Sequence, residues 1–267
     1  MRVARIQVDG TAPVAALERD GILHPLAQDV SALIEGAPPG DELDEVAGAR
    51  RLAPVVPGKV VAIGLNYLDH IRESGLQPPE RPLVFAKFPS SVIGADEPIR
   101  LPLEVTQRVD WEVELAVVIG ERASRVAPED ALGHVYGYTV ANDVSARDLQ
   151  FADGQWVRAK SLDTFCPLGP VLVTADEITD PQALRLTCRV NGEVVQDATT
   201  DLMVFGVAEL ISFCSHSFTL EPGDVLLTGT PWGCGEFMDP RRSLAPGDVV
   251  ECEIGGIGTL RNPVVEA

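Results

Sequence analysis

Residues 108–120 read RVDWEVELAVVIG. Trp111, Val113, Leu115 and Val117 alternate with Glu112, Glu114, Ala116 and Val118, the period of two that predicts a β-strand. Both glutamates then leave one face of that strand, about 6–7 Å apart along its axis. The run ends Val-Val-Ile, which suits an interior strand better than a solvated edge. Two carboxylates left together in a low-dielectric pocket repel or take up protons, so such a strand needs an explanation.

Strand-like segments continue on both sides: KVVAIG, RPLVFAKF, HVYGYTVAND, GPVLVTADEI and ALRLTCRVNGEVVQ. Asn191-Gly192 predicts a hairpin turn between two alternating strands. LEPGDVLLTG (220–229) and LAPGDVVECE (244–253) share Leu-x-Pro-Gly-Asp-Val, with Pro then Gly suited to the centre of a type II turn entering a strand. MVFGVAELISFCSHSFTL has helical apolar spacing, and Cys214 and His216 within it are read as core. Many strands and few helices predict a mostly-β, mixed-sheet domain at 58–267. Residues 1–57 are expected to form a small α+β N-terminal domain. Short strands lie in RVARIQVDG and APVAALERDG, and one or two helices in DVSALIEGAPPGDELDEVAG are broken at Pro38, Pro39 and Gly40.

Composition limits the possible roles. Of 267 residues 45% are hydrophobic, which fits a globular chain. Forty acidic residues against 21 basic ones leave a net charge of −19. That field makes nucleic acid and membrane surfaces poor partners, while a small anionic substrate remains possible wherever cations are local. No apolar run approaches a membrane span, and MRVARIQVDG lacks the apolar segment of a signal peptide. Five cysteines with no C-x-x-C pair fit a reduced, cytoplasmic protein.

On Glu112-x-Glu114 alone, a polar strand face is the simpler reading. A third carboxylate, Asp143, ends the strand in HVYGYTVAND and could equally cap the following helix. Together the three suit a hard cation, Mg²⁺ or Mn²⁺, better than zinc. In GLNYLDHIRESG (64–75), His70 and Glu73 share a helix face, and a carboxylate-oriented histidine is a competent general base. Lys160, one of only three lysines, sits in GQWVRAKSLDTFCPLGP and could stabilise developing negative charge, or could form a surface salt bridge. Gly229 and Thr230 in LTGTPWGCG offer a strand end able to hold a carboxylate, or merely a turn.

In this order, GLNYLDHIRESG, LVFAKFPSSVIG, DWEVELAVVIG, YTVANDVSARDLQ, VRAKSLDTFCPLGP and GDVLLTGTPWGCG resemble the fumarylacetoacetate hydrolase family, from about residue 59 onward. The resemblance implies a catalytic domain that is a mixed β-sandwich roll, a homodimer, and Mg²⁺ or Mn²⁺ on Glu112, Glu114 and Asp143. It further implies His70–Glu73 as the acid–base dyad on a lid, and Lys160 and Gln150 holding substrate oxygens. Gly229 and Thr230 would receive a substrate carboxylate, and Lys87 would play a supporting part. The implied substrate is a small enolisable 2-oxo carboxylate reacting through a cation-stabilised enolate. With the dyad present, C–C cleavage (acylpyruvate hydrolysis or oxaloacetate decarboxylation) is the first expectation. Isomerisation or tautomerisation of 2-hydroxyhepta-2,4-diene-1,7-dioate or oxaloacetate is the alternative. A catalytically silent metal- and ligand-binding protein of the same fold is the reading from another class.

Overall fold

The structure is a computed structural model that describes residues 1–8, 10–43 and 48–267. The predicted strand is observed at Val113–Ile119, every residue of it buried. It lies inside a large mixed sheet. In order across the main path, the strands are Ile22–Pro25, Val14–Arg19, Arg2–Gln7, Cys166–Thr174, Val135–Asn142, Val113–Ile119, Val225–Leu227, Val60–Gly64 and Leu83–Lys87. Neighbours on this path run antiparallel except Val225–Leu227 with Val60–Gly64. A second sheet orders Glu193–Thr199, Arg185–Val190, Val249–Ile254, Gly258–Glu266 and Ile99–Leu101.

Alternation along the central strand sorts its side chains into two cores. Val113, Leu115, Val117 and Ile119 pack with Leu186, Val190, Val250 and Leu260 of the second sheet. Ala116 and Val118 pack on the other side with Ala62, Leu168 and Val225. Both faces are covered, which is why the segment ends as a continuous apolar run. Glu112 and Glu114 belong to the row of Ala116 and Val118, where the second core gives way to a cavity.

The N-terminal strands form one end of the large sheet, Arg2 and Val3 pairing with Val173 and Leu172. The Val30–Ile34 helix is capped by the Asp29 carboxylate and buries Val30, Leu33 and Ile34 against that sheet. Asp9 of the first predicted strand and residues 44–47 of the second predicted helix lie outside the described residues. The turn chemistry is as expected. Asn191 and Gly192 both have positive φ, 55° and 81°, as a two-residue hairpin of this hand demands. Gly223 and Gly247 are also left-handed, with Asp224 N–H bonded to Glu221 O and Asp248 N–H to Ala245 O.

One core assignment needs correction. The Val207–Ser217 helix buries Cys214, but His216 is exposed. Residues two apart on a helix point to nearly opposite sides, so the two could not share the apolar stripe. Among the described residues, no helix is long and apolar enough to cross a membrane.

Candidate active site

The ladder brings the three carboxylates together. Val113 pairs with Asn142, so the next residue on each strand end, Glu112 and Asp143, lie side by side. Asp143 N–H donates to Glu112 O at 2.9 Å, and Glu112 N–H donates to the Asn142 side-chain oxygen at 3.0 Å. One oxygen each of Glu112, Glu114 and Asp143 falls within 4.8 Å of the others, and all three residues are buried.

Three buried cations surround this cluster. Lys160 Nζ bridges Glu112 Oε2 at 2.8 Å and Asp143 Oδ2 at 2.7 Å, so it forms no surface salt bridge. Lys87 Nζ donates to Asp143 Oδ1 at 2.5 Å. Arg147, at the start of the Arg147–Asp153 helix, donates to Asp110 Oδ2 at 2.9 Å and to Gln150 Oε1 at 3.0 Å. Its NH2 lies 2.7 Å from Glu112 Oε1, but off the line of a directed hydrogen bond, so that contact is ionic only. Burial pushes the Glu112 carboxyl up, yet Lys160 and Arg147 outweigh it and hold it down to about 2. Burial likewise opposes the charge on Lys160, and Asp143 and Glu112 overcome this and raise it.

Glu114 is different. Its Oε2 accepts the Gly229 N–H at 2.7 Å, and no salt bridge reaches it among the described residues. Burial, then the charges of Asp143 and Glu112, push its carboxyl well above the usual range. The local ledger has four carboxylates (Asp110, Glu112, Glu114, Asp143) against three cations (Lys87, Lys160, Arg147). An all-oxygen donor set with one uncompensated member fits a hard divalent cation, which would offset the repulsion at Glu114.

The His70–Glu73 dyad lies on the Leu68–Ser74 helix, one turn apart as predicted. His70 Nδ1 is 2.7 Å from Glu73 Oε1. Glu73 Oε2 accepts the Gly233 N–H at 2.9 Å, so both carboxylate oxygens are held. Phe237 meets the imidazole edge to face at 5.6 Å between centroids. Cys234 Sγ lies 3.8 Å from the same Nδ1, and burial pushes its thiol well up, so it is no ready nucleophile.

His70, Glu112 and Glu114 open onto one cavity of about 70 Å³, lined also by Arg147, Gln150, Lys160 and Thr230. Its remaining wall is mainly apolar, including Leu65, Phe85, Phe151 and Trp156. Thr230 is already engaged: its hydroxyl donates to Val113 O and accepts from Gln196. The Gly229 N–H, expected to face a substrate carboxylate, donates to Glu114 instead. Asp110, Arg147 and Cys234 were not singled out from the sequence. All three lie inside segments quoted for other residues. Two charges beside buried strand ends were a usable signal, whereas nothing local marked Cys234.

Residues 59–265 match the model of a family described as fumarylacetoacetate (FAA) hydrolase C-terminal. The chain is 52% identical over 217 residues to oxaloacetate tautomerase fahd2, mitochondrial, of Xenopus laevis, covering 80% of this chain and 68% of that protein. Two solved structures are similar across this whole chain. One is fumarylacetoacetate hydrolase from Exiguobacterium antarcticum, with 39% identity, a TM-score of 0.91 and all of that chain covered. The other is 2-hydroxyhepta-2,4-diene-1,7-dioate isomerase from Mycobacterium marinum, with 39% identity, a TM-score of 0.83 and 98% of that chain covered.

Proposed function

The chain belongs to the fumarylacetoacetate hydrolase family, and on that premise we propose that it is a tautomerase or isomerase of small enolisable 2-oxo carboxylates. One observation carries this reading: His70 of the acid–base dyad lines the same cavity as Glu112 and Glu114 of the three-carboxylate cluster. The names of an oxaloacetate tautomerase and a hydroxyheptadienedioate isomerase among its relatives support isomerisation over the C–C cleavage expected from the dyad.

Mg²⁺ or Mn²⁺, held by Glu112, Glu114 and Asp143, would supply Lewis-acid polarisation of the substrate's 2-oxo oxygen. The chain's own groups do the rest. Glu73 occupies His70 Nδ1, which leaves Nε2 to take a proton from C3 of the keto form and to return one on reversal. Gly233 fixes Glu73, so the ring orientation is set before substrate arrives. Lys160 and Arg147 keep Glu112 ionised, and Lys87 holds Asp143. The aromatic wall of Phe85, Phe151 and Trp156 keeps bulk water from the reacting carbon.

A second reading, hydrolytic C–C cleavage, is favoured by the Glu73-oriented histidine, which could deprotonate water instead of carbon. A panel of oxaloacetate, 2-hydroxyhepta-2,4-diene-1,7-dioate and acylpyruvates, each with Mg²⁺ and with EDTA, separates the two. Metal-dependent keto–enol exchange lost in His70→Ala supports tautomerisation. Acylpyruvate cleavage that outruns any exchange overturns it. No turnover in the whole panel would leave a ligand-binding protein of the same fold. We also propose a homodimer, on the family resemblance alone, with residues 1–57 as its leading unit, and a cytoplasmic location, to which five free, buried cysteines are suited.

A further inference from the structure

We infer that His70, Glu73 and Cys234 form a second metal site, selective for borderline-soft divalent cations such as Zn²⁺ and Cd²⁺, whose occupation halts proton transfer by the dyad. One potential donor atom from each residue lies within 4.8 Å of the other two. The donor set is nitrogen, oxygen and sulfur, whereas the neighbouring carboxylate cluster is oxygen only. Thiolate and imidazole favour zinc-like ions, and carboxylates alone favour Mg²⁺ or Mn²⁺, so the two sites differ in preference.

The spacing is close to what such an ion needs. Zn–N of about 2.0–2.1 Å and Zn–S of about 2.3 Å place tetrahedral nitrogen and sulfur ligands roughly 3.6 Å apart. His70 Nδ1 and Cys234 Sγ are 3.8 Å apart. Nδ1 and Glu73 Oε1, now hydrogen-bonded at 2.7 Å, must open to roughly 3.3 Å, a small rotation of one carboxylate. Glu73 is anchored by Gly233 N–H and Cys234 is the next residue, so two of the three ligands are fixed by one short segment. His70 also lines the cavity, so an ion held on its ring bears directly on the reacting face.

The proposed reaction gives Cys234 no task. Cys234 and Glu73 approach the same ring nitrogen, whereas a Cys–His–acid relay uses two different ones. Metal capture suits that geometry. The cation displaces the thiol proton to solvent, and the Nδ1 proton relocates to Nε2, a net release of one proton per ion bound. With Nε2 protonated, His70 has no site for the substrate's proton. This inhibitory consequence rests on the proton-transfer reading above; binding itself does not.

The test uses the full chain in saturating Mg²⁺, titrated with Cd²⁺ and followed by thiolate-to-cadmium charge-transfer absorbance. Saturation at one equivalent is expected, with turnover falling in parallel. Cys234→Ser and Cys234→Ala should weaken Cd²⁺ roughly 100-fold or more while retaining basal turnover. Cys188→Ala controls for the close thiol pair Cys188–Cys252, at 3.9 Å, and should behave as the parent chain. Absence of the absorbance in the parent chain, or its persistence in both Cys234 variants, overturns the site and leaves the proposed function intact. Binding through Cys234 with unchanged turnover overturns the inhibition and the proton-transfer role of His70 together.

Discussion

Glu114→Gln should change the sign of its effect on stability according to whether a divalent cation is present. Glu114 is the cluster carboxylate without a cationic partner among the described residues, within 4.8 Å of Glu112 and Asp143 oxygens. A pair of unit charges at that separation repel by about 3.5 kcal/mol at an effective dielectric of 20. The metal-free parent relieves this by protonating Glu114, because burial and its two neighbours raise that carboxyl well above the ordinary 4.5. The folded state then holds a proton that the unfolded state releases. Stability in EDTA must therefore fall as pH rises above the unfolded value, by up to about 1.4 kcal/mol per unit, until the folded group ionises. The amide has no such proton to lose and still offers an oxygen to Gly229 N–H, so in EDTA at pH 8 the variant should be the more stable. At a hundredfold excess of Mg²⁺ over its dissociation constant the parent gains about 2.7 kcal/mol and the variant much less, which reverses the order. Thermal unfolding at pH 5 and pH 8, with Mg²⁺ and with EDTA, reads this directly, at about 2–4 °C per kcal/mol. A variant less stable than the parent in EDTA at pH 8 would show that Glu114 is not the group demanding a cation.

Three further substitutions follow from the same contacts. Glu73→Gln keeps an acceptor for Gly233 N–H but removes the charge behind His70, so kcat should drop by on the order of 10–100-fold with little change in KM. Steady-state kinetics on the best substrate of the panel decides it. Trp111→Phe deletes the indole N–H that Gly233 O accepts at 3.1 Å, leaving that carbonyl unpaired; urea denaturation should show a loss of about 1–3 kcal/mol. Gly229→Ala places a Cβ 2.8 Å from Asn66 Cβ on a residue with φ of +95°. The left-handed backbone alone costs about 1–2 kcal/mol, and calorimetry should also show weaker Mg²⁺ binding as the N–H moves off Glu114.

Local patterns were legible without coordinates because they depend on neighbours in the chain. The alternation through Trp111–Val118 predicted a strand and placed Glu112 and Glu114 on one face; Asn191-Gly192 and the two Pro-Gly turns predicted their own backbone. The i, i+3 spacing of His70 and Glu73 sufficed for their contact. Helix phase is also local, and neglecting it misplaced His216. What lay beyond the sequence was convergence. The pairing of Val113 with Asn142 sets Asp143 beside Glu112, and two further segments deliver Lys87 to Asp143 and Lys160 to both carboxylates. Charge balance at Glu114 depends on Asp143 and Lys160 from other segments, while the commitment of Gly229 N–H and the approach of Cys234 to His70 join residues more than a hundred positions apart. Their energies exist only after burial has removed water, so periodicity, which records which face is buried, cannot record what that face meets.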